Sequence, residues 1–109
     1  MNIDDGFVHM IFYDMIMSDK RLIRAYTLFR GTLIKQGYYQ LQESIYVSYY
    51  REKEQINKVE QKLILIAPDS SNVRLLALTK TQFEKMTIIS GEFTTAEIVL
   101  KKNNGIIEF

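Results

Sequence analysis

Cysteine is absent from this 109-residue chain, and histidine occurs only once, at His9. The lack of cysteine excludes disulfide bonds and Cys-ligated zinc sites, and it is compatible with a reducing compartment. With one histidine and no cysteine, nucleophilic hydrolysis of the protease type has no candidate residues. His9 stands among apolar neighbours, so we expect it to be a buried or interface residue rather than a catalytic base. Glycine-rich phosphate-binding loops are also missing.

Long hydrophobic runs are missing as well, since none approaches the roughly 18 residues that a membrane helix needs. The segment Met1–Gly6 is acidic where a secretion signal would be basic, so we expect a cytoplasmic protein with no membrane partner. The formal net charge is only +1. A nucleic-acid partner can therefore be predicted only from the distribution of charge. The length, and a hydrophobic content of 47%, indicate one globular domain.

An apolar run, Phe7–Tyr13, ends abruptly at Asp14. Its shortness, its aromatic residues and the helix pattern that follows predict a strand in the middle of a sheet, buried on both faces. One face carries Phe7, His9, Ile11 and Tyr13, and the other carries Val8, Met10 and Phe12. Open α/β sheets tend to place ligand chemistry at the carboxyl ends of such strands. Asp14 is therefore a candidate functional residue.

A basic helix is predicted from Asp19 to Gln36, with Ser18 as its N-cap and Gly37 as a left-handed cap at its end. It carries one acidic side chain against five basic ones, which are Lys20, Arg21, Arg24, Arg30 and Lys35. A solvated surface is the usual role of such a stripe. We interpret the cluster as a phosphate-contacting face, because the acidic residues lie elsewhere in the chain.

The rest of the chain alternates between extended and helical patterns. Tyr38–Tyr50 alternates with a period of two and is predicted as a strand broken near Glu43 and Ser44. Its Tyr/Gln/Ser face suits a protein interface or a nucleic-acid contact. The remaining predicted elements are a helix at Arg51–Ile66, a strand at Val73–Thr79, a helical turn at Thr81–Met86, an edge strand at Thr87–Ser90, and short apolar ends at Glu97–Leu100 and Ile106–Phe109.

This order predicts an α+β fold, a ferredoxin-like βαββαβ sandwich with two helices on one face of an antiparallel sheet. We expect this domain to span residues 1–91. The tail, residues 92–109, is expected to add an extra C-terminal strand at a sheet edge and to pack on a partner. Because two strands are apolar on both sides, the helix-free face should meet a two-fold copy of itself. We therefore expect a homodimer.

Several segments together resemble the CRISPR-associated Cas-two proteins over nearly the whole chain. In chain order they are Ile11–Asp14, Asp19–Arg21, Gly37, Gln42–Tyr46, Leu78–Phe83 and Ile88–Gly91. The segment Phe29–Gly37 is most similar to members from type II systems. The resemblance implies a ferredoxin-like homodimer that binds duplex DNA and bridges two dimers of the Cas-one integrase while a new spacer is acquired.

The resemblance also implies a second function, since some Cas-two proteins are described as Mg2+-dependent endonucleases of RNA or DNA. Their metal ligand and catalytic residue is the aspartate that ends the first strand, which is Asp14 here; Mn2+ could substitute. The apolar Met15, Ile16 and Met17 depart from the family's usual polar or proline-containing loop. One carboxylate per subunit is few for a metal site, although a two-fold axis could bring a second Asp14 close.

Three roles of Asp14 therefore remain open. In an adaptor its carboxylate is dispensable, and in a metal-dependent phosphodiesterase it is required. In a purely structural role it would hydrogen-bond the backbone at the turn from strand to helix.

Overall fold

The structure is a computed structural model that describes residues 5–69, 71–92 and 94–102. Its elements, in chain order, are β1 (Phe7–Met15), α1 (Lys20–Lys35), β2 (Tyr39–Gln42), β3 (Ile45–Tyr50), α2 (Lys53–Ile66), β4 (Ser71–Thr79), α3 (Lys80–Glu84) and α4 (Thr95–Lys102). Four strands form one antiparallel sheet in the order β2-β3-β1-β4. The predicted α+β, ferredoxin-like order is thereby confirmed, with β1 between two neighbours.

The two faces of β1 are both buried, as its sequence predicts. On one face, Ile11 and Tyr13 pack under α1 and α2, against Phe29 and Leu63. Val8 and Met10 belong to a second apolar cluster on the other face. The alternation of β1 therefore gives the fold two apolar layers, one on each side of the sheet.

The second face of the sheet carries short helices, in addition to the two helices predicted for the first face. Phe83 of α3 packs on it, as do Ala96 and Leu100 of α4. These side chains cover part of the surface that was expected to be free of helices. Leu76 of β4 is still 45% exposed, and its register partner is Met10 on this second face. The face is thus only partly covered by its own chain.

Helix α1 begins and ends as local chemistry dictates, with one correction. Its N-cap is Asp19 and not Ser18, because the Asp19 carboxylate accepts a hydrogen bond of 2.9 Å from the Leu22 amide. At the other end Gly37 has φ +92°, the left-handed conformation that a helix-terminating glycine provides. The break between β2 and β3 lies at Ser44, with φ +67°, where the sequence predicts it.

Two predicted strands are wrong. Thr87–Ser90 has no regular structure, and Ile89 is 95% exposed, so no sheet partner imposes a period of two on it. Glu97–Leu100 lies in α4, whose start is capped by Thr94: the Glu97 carboxylate accepts from the Thr94 amide at 2.9 Å. This capping box favours a helix over the predicted C-terminal strand. Ile106–Phe109 lies outside the described residues.

The Tyr/Gln/Ser face of β2 and β3 is not an interface, which corrects the prediction made from its polarity. Tyr38, Tyr46 and Ser48 are all buried, beneath the two long helices. Their hydroxyls have partners inside the chain; for example, the Tyr46 hydroxyl accepts from Arg30 Nε at 2.7 Å. Because buried hydroxyls that are hydrogen-bonded carry little penalty, this hydroxyl-rich face can serve as the core.

Candidate functional site

Asp14 lies one residue before the end of β1, with its side chain exposed to solvent. Its register partner on β4 is Asn72. On the other side of β1, the Ser44 carbonyl accepts a hydrogen bond of 3.0 Å from the Tyr13 amide. This bond holds the β2–β3 turn beside the end of β1. Asp14 therefore sits between the start of β4 and the β2–β3 turn.

These three segments enclose an open cleft of about 610 Å³. Its lining residues are Phe12, Tyr13, Asp14, Glu43, Ser44, Ile45, Asn72 and Arg74. The cleft contains two carboxylates and one guanidinium, together with the apolar side chains of Phe12 and Ile45. It can accept a ligand that has both a charged group and a flat apolar part.

The ionisable groups of the cleft are not neutralised by one another. Within the part of the chain that the structure describes, ion pairs form only between His9 and Glu60 and between Lys80 and Glu84. The Asp14 carboxylate likewise takes part in none of the side-chain hydrogen bonds found in residues 5–69, 71–92 and 94–102. The structural role considered for Asp14, a bond to the turn after β1, therefore finds no support in the geometry.

The predicted Mg2+ site can be tested against the donors in the cleft. Among the described residues, no group of three or more His, Cys, Asp or Glu side chains is placed to hold a metal. Asp14 contributes one carboxylate, and Glu43 and Asn72 add oxygen donors to the same lining. Mg2+ binds through one or two carboxylates while keeping several waters. This donor set fits a hydrated Mg2+ and does not form a closed protein cage.

The apolar residues after Asp14 take different positions. Met15 packs against the core beneath the helices. Ile16 and Met17 are 62% and 49% exposed and are absent from the lining of the cleft. The departure from the family pattern at these positions therefore leaves the cleft open to water.

The five basic side chains predicted to contact phosphate are all exposed on α1. At about 100° per residue, Lys20, Arg24 and Lys35 lie opposite the buried Phe29 and Leu33.

Arg21 and Arg30 lie on the two flanks of that face, where Arg30 is held by its bond to Tyr46. The sequence reading missed three apolar residues on the exposed surface of this helix: Ile23, Leu28 and Ile34, which are 47%, 67% and 47% exposed.

The structure does not bring the basic face of α1 and Asp14 together. None of the five basic residues lines the Asp14 cleft, whose only cation is Arg74. Asp14 shares a face of β1 with Phe12, whereas α1 packs over the face that carries Ile11 and Tyr13. The chain thus presents two separate candidate surfaces. Glu43, Asn72 and Arg74 were missed from the sequence, because only the strand register places them beside Asp14.

His9 is buried, as predicted, and both of its ring nitrogens are hydrogen-bonded. Nε2 lies 2.7 Å from Glu60 Oε2, and Nδ1 lies 2.7 Å from the Tyr38 hydroxyl, which also accepts from the Tyr50 hydroxyl. Burial lowers the pKa of His9, while the Glu60 carboxylate opposes that shift. Burial also raises the pKa of Tyr38. This arrangement describes a neutral histidine in a core network, with no access to the Asp14 cleft.

Comparison with known proteins identifies the family. The family model described as CRISPR associated protein Cas2, the Cas-two proteins named above, matches residues 7–86, which is well over half of the chain. The chain belongs to the Cas2 family. The match begins at the first residue of β1 and extends past α3, so it includes the central strand, Asp14 and the basic helix.

Curated relatives of this Cas2-family chain agree over most of their lengths. A protein of Acidovorax ebreus named "CRISPR-associated endoribonuclease Cas2" is 33% identical over 82 residues, covering 75% of this chain and 80% of the relative. Proteins with the same name from Campylobacter jejuni and Lacticaseibacillus rhamnosus are 30% and 29% identical, covering 94% and 75% of this chain and 72% and 81% of the relatives. Within the described residues, no helix has the length and apolar character needed to cross a membrane.

Proposed function

We propose that this Cas2-family protein is a homodimeric adaptor that binds duplex DNA and bridges dimers of the Cas-one integrase during spacer acquisition in the cytoplasm. The observation that carries the proposal is the basic outer face of α1, where Lys20, Arg21, Arg24, Arg30 and Lys35 are all exposed. Arginine and lysine side chains bind the phosphate backbone without reading its sequence. A two-fold axis would double this face and extend it along a duplex.

Dimerisation is supported by the apolar surface that remains on the second face of the sheet. Leu76 on β4 is 45% exposed, and Met86, Ile88 and Ile89 after α3 are 45%, 39% and 95% exposed. Soluble monomers rarely leave contiguous apolar patches of this kind uncovered. We propose that a second copy covers this area.

The tail also enters the proposal, as the part of residues 92–109 that extends beyond α4. Ala96 and Leu100 of α4 pack on the sheet of their own chain. The contribution to the partner is therefore assigned to the residues after Lys102.

The dependence of binding on salt tests the DNA-binding face. For a nonspecific duplex, we expect the logarithm of the binding constant to fall with the logarithm of salt concentration, with a slope of about −0.9 per neutralised phosphate. Reversing Lys20 and Arg24 to glutamate should weaken binding and flatten the slope, since both lie on the outward face of α1. Fluorescence anisotropy with a labelled duplex measures both effects.

The matched control for that experiment is charge reversal at Lys58 and Lys62, which are equally exposed on α2. Helix α2 carries a mixed set of charges, so we expect this control to leave the slope unchanged. Equal losses in the two double variants would show that only net charge matters and that α1 is not the binding face. Binding that ignores salt in the unaltered protein would exclude phosphate contacts altogether.

A second candidate function, a metal-dependent phosphodiesterase, is favoured by the Asp14 cleft and by the printed names of the relatives, which are endoribonucleases. Asp14, with Glu43 or Asn72, would hold Mg2+ or Mn2+. When bound, the metal would supply an activated water and stabilise the leaving oxygen. The chain's own contribution is the carboxylate, an open cleft and the guanidinium of Arg74.

Replacing Asp14 with Asn tests this second function, since it removes the charge and keeps the size of the side chain. We expect cleavage to be weak in the unaltered protein, dependent on Mg2+ or Mn2+, and abolished by Asp14→Asn. Cleavage of a labelled RNA on denaturing gels measures this. Cleavage that persists in the variant, at an unchanged rate and with the same metal dependence, would remove Asp14 from the reaction.

A further inference from the structure

Arg74 is the one cation that lines the cleft around Asp14. It lies on β4 opposite Phe12, two residues along from Asn72, which is opposite Asp14. Residues directly opposite in an antiparallel pair share a face of the sheet. Arg74 and Asp14 are therefore diagonal neighbours on the same face, a relation that holds positions about 7–8 Å apart.

The guanidinium of Arg74 is exposed and is not neutralised by the carboxylates nearby. In the portion of the chain that the structure describes, no ion pair within 4.0 Å includes it, although Asp14 and Glu43 line the same cleft. Arginine presents a planar fork of donors that matches the oxygens of a phosphate. An unpaired fork beside a ligand-sized opening is suited to an anion brought by a ligand.

We infer that Arg74 binds a single phosphate of one nucleic-acid strand whose phosphodiester lies in the Asp14 cleft. This inference rests on the proposed role in handling nucleic acid, and it assigns the cleft a different ligand from α1. The assignment concerns binding, so it holds whether or not the bound strand is cut.

Charge decides that the ligand is a single strand and not a duplex backbone. Arg74 can compensate one phosphate, whereas Asp14 and Glu43 repel any further phosphates that approach. Duplex binding requires rows of cations, as on the outward face of α1. A strand that crosses the cleft once places only one phosphate beside Arg74.

The apolar part of the cleft accounts for the rest of a nucleotide. Phe12 and Ile45 are register partners on neighbouring strands, and both are partly exposed. An aromatic ring beside a cationic groove is a typical stacking surface for an unpaired base, and such stacking tolerates any sequence. At about 610 Å³, the open cleft has room for a phosphodiester and one adjoining base.

Binding of a minimal ligand with one phosphodiester tests the inference. Uridylyl-(3′→5′)-uridine is titrated into the full chain in EDTA, and NMR chemical shifts report the site and the dissociation constant. We expect shifts at Phe12, Ile45 and Arg74. Arg74→Gln should weaken binding about tenfold or more, as expected for loss of a charge-assisted hydrogen bond, and Arg74→Lys should restore part of the affinity.

Two matched variants separate this site from general charge effects. Arg51→Gln removes an exposed arginine that lies outside the cleft and should leave the dissociation constant unchanged. Asp14→Asn removes a negative charge about 7 Å from the phosphate and should tighten binding about threefold at low salt. All variants are compared at equal melting temperature, so a folding defect in Arg74→Gln would be visible, and Arg74→Lys then carries the test.

Equal affinities of Arg74→Gln and Arg51→Gln, or shifts confined to α1, would overturn the inference. It would also be overturned if a duplex shifted Phe12 and Ile45 more strongly than the dinucleotide does. Failure of the DNA-binding proposal appears differently, as loss of the salt slope with the dinucleotide site intact.

Discussion

The buried pair of His9 and Glu60 makes the stability of this Cas2-family protein depend on pH. His9 is fully buried, and its Nε2 donates to a Glu60 carboxylate that is about a third exposed. Burial lowers the pKa of His9 below its ordinary value of 6.5. Below that value the unfolded chain binds a proton that the folded chain refuses. Stability is therefore fully present above about pH 6.5 and is lost as the pH falls further towards the lowered pKa.

The same network sets the cost of removing Glu60. Glu60→Ala leaves the buried Nε2–H of His9 without its partner, and an unsatisfied buried donor costs about 1–3 kcal/mol. Glu60→Gln keeps an acceptor and should cost less. Removing the carboxylate also removes the influence that opposes the lowering, so both variants should lower the pKa of His9 further and steepen the loss of stability at acidic pH.

Urea unfolding at fixed protein concentration, from about pH 7.5 to about pH 5.5, measures these effects as changes in midpoint and slope. His9→Gln is the matched control, because it has no titratable group and should flatten the profile over that range. A profile that rises as the pH falls would refute the reasoning, since it would mean that the carboxylate outweighs burial. An unchanged profile in His9→Gln would show that another group titrates.

Two further predictions concern the packing of the fold and its partner surface. Gly6→Ala should destabilise the protein by about 1–3 kcal/mol, because Gly6 has φ +93° and an added Cβ would lie 2.5 Å from the Tyr49 hydroxyl oxygen; Gly31→Ala, where a Cβ meets nothing within 4 Å, is the control, and equal melting temperatures would contradict the prediction. Leu76→Asp should shift sedimentation at micromolar concentration from dimer to monomer, with Leu65→Asp on the α2 surface as the control. A clean 12.8 kDa monomer before any substitution would exclude the dimer.

The elements that the sequence predicts well are those with a strong local pattern. Phe7–Tyr13 is short, apolar on both faces and followed by a basic amphipathic helix, so its central place follows from burial alone. The N-cap was misplaced by one residue because Ser18 and Asp19 are both good caps. The C-terminal strand was wrong because Ile98 to Leu100 reads as an apolar run, while the capping box of Thr94 and Glu97 sets a helix instead.

Other features depend on tertiary contacts that no local pattern specifies. The tyrosines of β2 and β3 look like a polar surface, and only the partners of their hydroxyls, such as His9 for Tyr38 and Arg30 for Tyr46, make burial possible. The Asp14 cleft is similar, because Arg74 lies 60 residues further along the chain. Its place beside Asp14 follows from the β1–β4 register, which is fixed only when the strands pair.

The most direct test of the adaptor proposal is spacer integration in vitro, with the Cas-one integrase and a duplex substrate, comparing the unaltered protein with Asp14→Asn. If the protein acts as an adaptor, the variant should integrate at an unchanged rate while remaining dimeric and bound to DNA. If Asp14→Asn protein stays folded, dimeric and bound to DNA but integration stops, the carboxylate is chemically required and the adaptor account is contradicted.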